Sequence, residues 1–305
     1  MNRSLITITT IATRRMSTSL CGYSPIKDVV VIGAGLMGSG IGQVVAQAEM
    51  NVTLVGRTEA SLQKAFAGIN RCVKIVARKK FSKDKQAQEA MVDDVLKHIS
   101  MTTDVEKAVR KTDLVIEAVV ENLPVKQKLF EEIEMASQSG TLLATNTSSL
   151  RLCDIATNLK RSSNFGGLHF FNPVPFMKLL EVVRYSETSD DAYNSFLAFG
   201  KAIGKVTVEC KDSPGFIVNR LLVSYMSEAL RMVERGDASM KDIDVAMKLG
   251  AGYPMGPFEL IDQIGFNTFK LILNNLEKAC PREPLFQPSE LLNKLVAEVV
   301  TGNSH

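Results

Sequence analysis

The sequence has no apolar run near the roughly 20 residues that a membrane-spanning helix needs. It also lacks a sustained excess of either charge. Three of the 36 basic residues, Arg3, Arg14 and Arg15, precede Lys27, and without them the body carries 33 basic and 33 acidic residues. Nucleic acid, which asks for an extended basic surface, is therefore not an expected partner. The five cysteines (Cys21, Cys72, Cys153, Cys210, Cys280) are scattered, without the paired spacing of a metal site or redox couple. Free thiols in a reducing compartment, and no metal, are expected. Acids are missing from the first two dozen residues, where the three arginines sit among many Ser and Thr. That is the composition of a mitochondrial transit peptide over 1–24, because Thr7, Thr9 and Thr10 interrupt the apolar core that a secretory signal would show. A tail without structure is the alternative.

What is present from Lys27 onward is an alternation. Asp28-Val29-Val30-Val31-Ile32 leads into Gly33-Ala34-Gly35-Leu36-Met37-Gly38, then a helical stretch from Ile41 to Met50, then Asn51-Val52-Thr53-Leu54-Val55. Unbroken apolar strands joined by a helix imply a parallel sheet buried on both faces. Asp113–Val119 and Thr141–Thr145 read as further strands of the same kind. The fold expected over 25–211 is α/β, a doubly wound Rossmann-type domain, with an inserted helical hairpin over Ser61–Lys97. After Asp212-Ser213-Pro214-Gly215 only helical periodicity remains, in Phe216–Arg235, Met240–Leu249, Pro257–Cys280 and Ser289–Val300. An all-α C-terminal domain over 212–305 follows, with Gly236 and Gly250 placed as helix C-caps.

The glycine turn follows a strand and opens a helix, which is the context that makes Gly-x-Gly-x-x-Gly a dinucleotide site. Gly33 permits the turn, Gly35 lets the pyrophosphate approach the backbone, and Gly38 lets helix pack on strand. One feature of an NAD site is missing. The second strand ends in Gly56 and Arg57, where an acid would bind the ribose 2′-hydroxyl, and an arginine there suits a 2′-phosphate. NAD is the favoured cofactor, with NADP left open.

Histidine is scarce, with His98, His169 and His305 the whole set. His98 adjoins Lys97 in a charged stretch and His305 is terminal, whereas His169 lies among apolar strand residues. Asn172-Pro173-Val174-Pro175 reads as a turn between two strands. His169 and Glu181 stand six residues either side of Pro175, so a symmetric reversal puts them opposite each other. A carboxylate there orients the imidazole and stabilises the imidazolium formed when the ring accepts a proton.

Taken together, these stretches resemble the L-3-hydroxyacyl-CoA dehydrogenase family of mitochondrial fatty-acid β-oxidation. The most specific matches are Val31–Gly38, Glu117-Ala118-Val119-Val120-Glu121-Asn122, Asn146-Thr147-Ser148-Ser149, His169–Pro175, Lys211–Arg220 and Gly252–Leu260. The similarity runs from about Lys27 to Glu298. It implies His169 as general base with Glu181 as its partner, and Ser148 and Asn219 at the substrate carbonyl. It also implies cofactor contacts from the glycine turn with Leu36 and Met37, from Glu121, Lys126 and Ser148, and, beside the missing acid, from Arg57.

The basic hairpin (Arg71, Lys74, Arg78, Lys79, Lys80, Lys83, Lys85) matches the region where the family lays coenzyme A, with Lys79 and Ser148 as contacts. Cys72 stands where a serine is usual, and Ser304 stands in place of a lysine near the cofactor. A homodimer in the mitochondrial matrix, acting on an acyl-CoA, is the implied protein. Two readings compete with it. One is a relative that prefers NADP or acts on a 3-hydroxy acid without coenzyme A; the other is a catalytically silent dinucleotide-binding protein.

Overall fold

The computed structural model describes residues 25–301, so the expected transit peptide over 1–24 and the tail with Ser304 lie outside the described residues. Strands and helices alternate from Asp28: β1 (Asp28–Ile32), α1 (Leu36–Gln47), β2 (Asn51–Val55), the paired helices α2 (Glu59–Lys80) and α3 (Lys85–Lys97), then β3 (Ile99–Thr102). Next come α4 (Val105–Val109), β4 (Leu114–Glu117), α5 (Leu123–Ala136), β5 (Leu142–Thr145) and the short α6 (Leu152–Ile155). β6 (Phe165–Phe170), β7 (Leu179–Arg184), α7 (Asp190–Ala202) and β8 (Val206–Lys211) complete the sheet. Helices follow without further strands: α8 (Val218–Glu234), α9 (Met240–Gly250), α10 (Pro257–Ile264), α11 (Phe266–Ala279) and α12 (Glu290–Thr301).

The sheet order is β3-β2-β1-β4-β5-β6-β7-β8. All neighbours pair in parallel except β6 with β7. The chain reverses direction through the sheet beside β1, and sheets of this kind bind ligands at the carboxyl ends of the strands flanking that point. Alternation along β1 explains its unbroken apolar run. Val29 and Val31 enter one core with Ile41, Leu62, Ile69 and Phe196, while Val30 and Ile32 enter the opposite core with Val109, Phe130 and Ile133. The helices after Lys211 build a third core around Val223, Met226, Phe258, Phe269 and Leu273.

The helical hairpin is bounded by side-chain caps. Thr58 accepts from the Ser61 N–H at 3.1 Å and Asp84 from the Ala87 N–H at 2.9 Å. Elsewhere the structure departs from the periodicity. Helix α1 begins at Leu36 rather than Ile41, because Gly38 and Gly40 contribute no apolar side chain to the pattern yet are needed for packing. A Cβ on Gly38 would lie 1.7 Å from the Gly33 carbonyl oxygen, and one on Gly40 would lie 2.8 Å from Val174 Cβ. The run Pro257–Cys280 is two helices, broken at Gly265 with φ 86°. Gly236 does take a left-handed conformation past α8, but Gly250 is still helical and Gly252 makes the turn.

Replacing Gly38 with alanine forces the turn off the helix and is expected to destabilise the chain by about 1–3 kcal/mol, read as a lowered Tm. Gly35→Ala, whose methyl would meet nothing within 4 Å, is expected to leave Tm unchanged. Equal melting of both variants would contradict this packing account.

Candidate active site and dinucleotide cleft

At the switch point the glycine turn is fixed from beneath. The Gly33 N–H donates to the Val55 carbonyl at 2.9 Å, φ is 121°, and a Cβ would lie 2.3 Å from the Ala118 carbonyl oxygen. Gly35 is the N-cap of α1 and offers no capping side chain, while the space above it is open. Free N–H groups at the start of a helix, next to an open cradle, suit a pyrophosphate. The residues present therefore fit a dinucleotide. A cavity of about 730 Å³ opens there, lined among others by Gly33, Gly35, Gly56, Arg57 and Val119. A second of about 610 Å³ shares Ala34 and Gly35 and runs between α1 and α2 to the 172–176 turn, past Leu36, Arg71 and Cys72. Leu36 is exposed over this junction, and Met37 packs inward on the core.

The strands β6 and β7 bring the two expected catalytic groups together. Their antiparallel register sets His169 opposite Glu181, and His169 Nδ1 lies 2.6 Å from Glu181 Oε2. Both are buried, the carboxylate completely. Its other oxygen, Oε1, accepts the N–H groups of Ile217 and Val218 at 3.1 and 2.9 Å. Helix α8 has no capping side chain of its own at Ile217, so Glu181 serves as its cap from across the structure. A negative charge at that helix end is favoured by the backbone dipoles. Gly215 (φ 76°) and Phe216 (φ 51°) bend the chain into position, and the rings of Phe171 and Phe216 flank the imidazole at 4.6 and 5.4 Å. Asn219, next after Val218, points its Nδ2 at the Ser148 carbonyl, 3.5 Å away.

The loop carrying Ser148 is organised by Glu121. Its Oε1 accepts from the Ser148 N–H at 3.0 Å, the Ser149 N–H at 3.1 Å and the Ser149 hydroxyl at 3.0 Å, and also from Thr147 Oγ1. Lys126 is 1% exposed, and its ammonium lies between Glu117 at 2.5 Å and Glu121 at 3.2 Å. It therefore lies one layer below the cleft surface, bracing Glu121. The sequence assigns no role to Glu117, which stands in a family-like stretch and is a wholly buried carboxylate that also accepts from Thr145 Oγ1 and the Val119 N–H. Nor did anything mark Lys205, whose buried ammonium donates to the carbonyls of Val174 and Met177 and clamps the turn after His169. Burial pushes its pKa down.

The basic hairpin residues do not converge. Arg71 and Cys72 line the cavity beside the glycine turn, and the Lys79 ammonium sits 5.3 Å from the Phe176 ring at its rim. Lys74, Arg78 and Lys85 instead line a groove between α2 and α3 with Glu89 and Asp93. The helical period separates charges that are adjacent in sequence.

Residues 28–213 match the model of the 3-hydroxyacyl-CoA dehydrogenase NAD-binding domain, and 215–305 match that of the C-terminal domain. The chain belongs to the 3-hydroxyacyl-CoA dehydrogenase family. A probable 3-hydroxyacyl-CoA dehydrogenase of Caenorhabditis elegans is 59% identical over 94% of this chain and 93% of its own length. The mitochondrial hydroxyacyl-coenzyme A dehydrogenase of Sus scrofa is 50% identical over 94% of each. Among solved structures, (S)-3-hydroxybutyryl-CoA dehydrogenase PaaH1 of Ralstonia eutropha superposes with a TM-score of 0.84 at 35% identity, covering 90% of this chain and 94% of that one. The family's two domain matches meet at Pro214, within the bend that leads to the α8 N-terminus capped by Glu181.

Burial works against the charged form of Glu121, but Lys126, the Thr147 hydroxyl and the Ser148 N–H outweigh it and hold its carboxyl below its ordinary value of 4.5. A lowered folded pKa contributes stability that is present above the unfolded value and lost as pH falls through the folded one. Glu121→Gln should therefore melt below the wild type at neutral pH, with the gap narrowing as pH drops under 4.5. A gap that stays constant into acid would show that the Glu121 charge contributes nothing.

Proposed function

We propose that this chain oxidises the 3-hydroxyl of an L-3-hydroxyacyl-CoA to the 3-oxoacyl thioester, as a step of fatty-acid β-oxidation, with His169 as general base. The observation that carries the reading is the buried His169–Glu181 pair, at 2.6 Å, in a chain with a built dinucleotide cleft. With Nδ1–H donating to Glu181, the Nε2 lone pair is left to accept the hydroxyl proton, and the carboxylate stabilises the imidazolium that results. NAD, when bound at the glycine turn, supplies the acceptor for the C3 hydride. Ser148 and Asn219 offer hydrogen-bond donors to the reacting oxygens. The loop position of Ser148 is held by Glu121, and that of Asn219 by the Glu181 cap on α8.

Coenzyme A is assigned to the cavity between α1 and α2, where Arg71 and Lys79 supply charge for its phosphates and Cys72 a weak donor where a hydroxyl is usual. A second copy of the chain is assigned to the helical part, where Leu221, Leu249 and Leu271 stand exposed on α8, α9 and α11. The mitochondrial matrix is supported by the composition of 1–24 and by the mitochondrial relatives. No helix among the described residues is long and apolar enough to cross a membrane.

The reaction is read as loss of reduced-cofactor absorbance with acetoacetyl-CoA. His169→Ala is expected to lower kcat by about 10²–10⁴-fold, and Glu181→Gln to lower it strongly, while NADH still binds in a fluorescence titration. Wild-type protein that binds NADH without turnover would contradict the enzyme reading; unchanged rates in the variants would remove the pair from the mechanism.

A further inference from the structure

The end of β2 is built differently from an NAD-selective site, and we propose that the cleft takes NADP(H) as well as NAD(H), with Arg57 holding the 2′-phosphate. This rests on the reading of the cleft as a dinucleotide site. Selectivity for NAD comes from a carboxylate at the end of the second strand, which binds the ribose hydroxyls and repels a phosphate. Residue 56 occupies that place. Its N–H is held by the Thr102 carbonyl at 3.1 Å, and the neighbouring Val55 carbonyl receives the Gly33 N–H at 2.9 Å, so the position is fixed against the glycine turn.

No side chain fits there. A Cβ on Gly56 would lie 2.8 Å from both Cγ and Cδ2 of Leu62 and 3.0 Å from Ser61 Oγ, and Leu62 is wholly buried in the core. The missing acid is thus a packing feature of this chain, since Leu62 occupies the volume that a longer residue at 56 would need. No acid among the cavity-lining residues stands at the end of β2. Among the residues lining the cavity the one carboxylate is Glu132 on α5, and it faces Lys128 at 3.9 Å.

Arg57 is exposed at the same cavity, and its guanidinium has no ion pair or hydrogen bond among the described residues. A guanidinium is suited to phosphate because its donors match two oxygens at once. The site therefore lacks the group that rejects a 2′-phosphate and carries, unpartnered, one that binds it.

The test is direct binding to the purified full chain, by fluorescence titration with NADH and NADPH and by calorimetry with 5′-AMP and 2′,5′-ADP. NADPH is expected to bind within about thirtyfold of NADH, 2′,5′-ADP to bind more tightly than 5′-AMP, and Arg57→Ala to weaken the two ligands that carry a 2′-phosphate about tenfold or more. NADH and 5′-AMP should lose severalfold less affinity in that variant than their 2′-phosphorylated counterparts, and Arg57→Lys should restore part of the selective loss. A larger gap between NADPH and NADH, or a loss in Arg57→Ala shared equally by all ligands, overturns the proposal while leaving the dinucleotide cleft intact. Failure of both NADH and NADPH to bind overturns the cleft itself.

Discussion

Glu181 is where the two halves of the chain are fastened together. One of its oxygens holds the His169 ring and the other receives the first free N–H groups of α8, so the sheet and the helical part meet on one buried carboxylate. Taking a charge out of water is unfavourable unless hydrogen bonds compensate for the lost hydration. Here three donors converge on it, and each is set by structure that is itself constrained: the β6–β7 register for His169, and the Gly215-Phe216 bend for the two amides. The same bonds fix where α8 starts, and hence where Asn219 stands relative to Ser148.

The other wall of the site relies on a second buried charge group. Glu117, at the end of β4, holds the Lys126 ammonium, which holds Glu121, which gathers the N–H groups of Ser148 and Ser149. The turn after His169 is clamped in a third way, by the Lys205 ammonium on two backbone carbonyls. The loop after β5, the turn after β6 and the bend before α8 are thus each tied down by a charged side chain. At the cleft no side chain caps the N-terminus of α1, and the Arg57 guanidinium has no partner among the described residues. Loops held from below and donors left free above suit a site that must be in place before a charged cofactor arrives.

What the sequence made legible follows from how locally each feature is determined. The strand, glycine turn and helix could be read because the pattern is short and Gly38 is required by the Gly33 carbonyl five residues before it, although the close neighbour of Gly33 itself is the distant Ala118 carbonyl. Glu181 could be found because a reversal centred on Pro175 leaves few registers that pair His169 with a carboxylate. Strands β3 and β8 could not, since these edge strands are only half-buried and Ile99-Ser100-Met101-Thr102 and Val206–Lys211 carry no continuous apolar run. Helix α7 was hidden by its polar first turn. Nothing local distinguishes Lys126 or Lys205 from the surface lysines around them, because their burial depends on partners 28 or more residues away for Lys205 and on the fold of a loop for Lys126. The basic cluster of the hairpin misled in the opposite sense: contiguous in sequence, it divides between two faces once α2 is wound.

In the proposed mechanism Glu181 fixes the imidazole so that Nε2 is the nitrogen offered to substrate. With three histidines in the whole chain, histidine-labelled protein gives a ¹⁵N spectrum in which His169 is assigned by its loss in His169→Ala. In the neutral ring the account predicts the Nδ1–H tautomer, with a strongly hydrogen-bonded Nδ1 proton that disappears in Glu181→Ala. An Nε2–H tautomer in the wild type would contradict it, since the nitrogen assigned to take the substrate proton would already carry one.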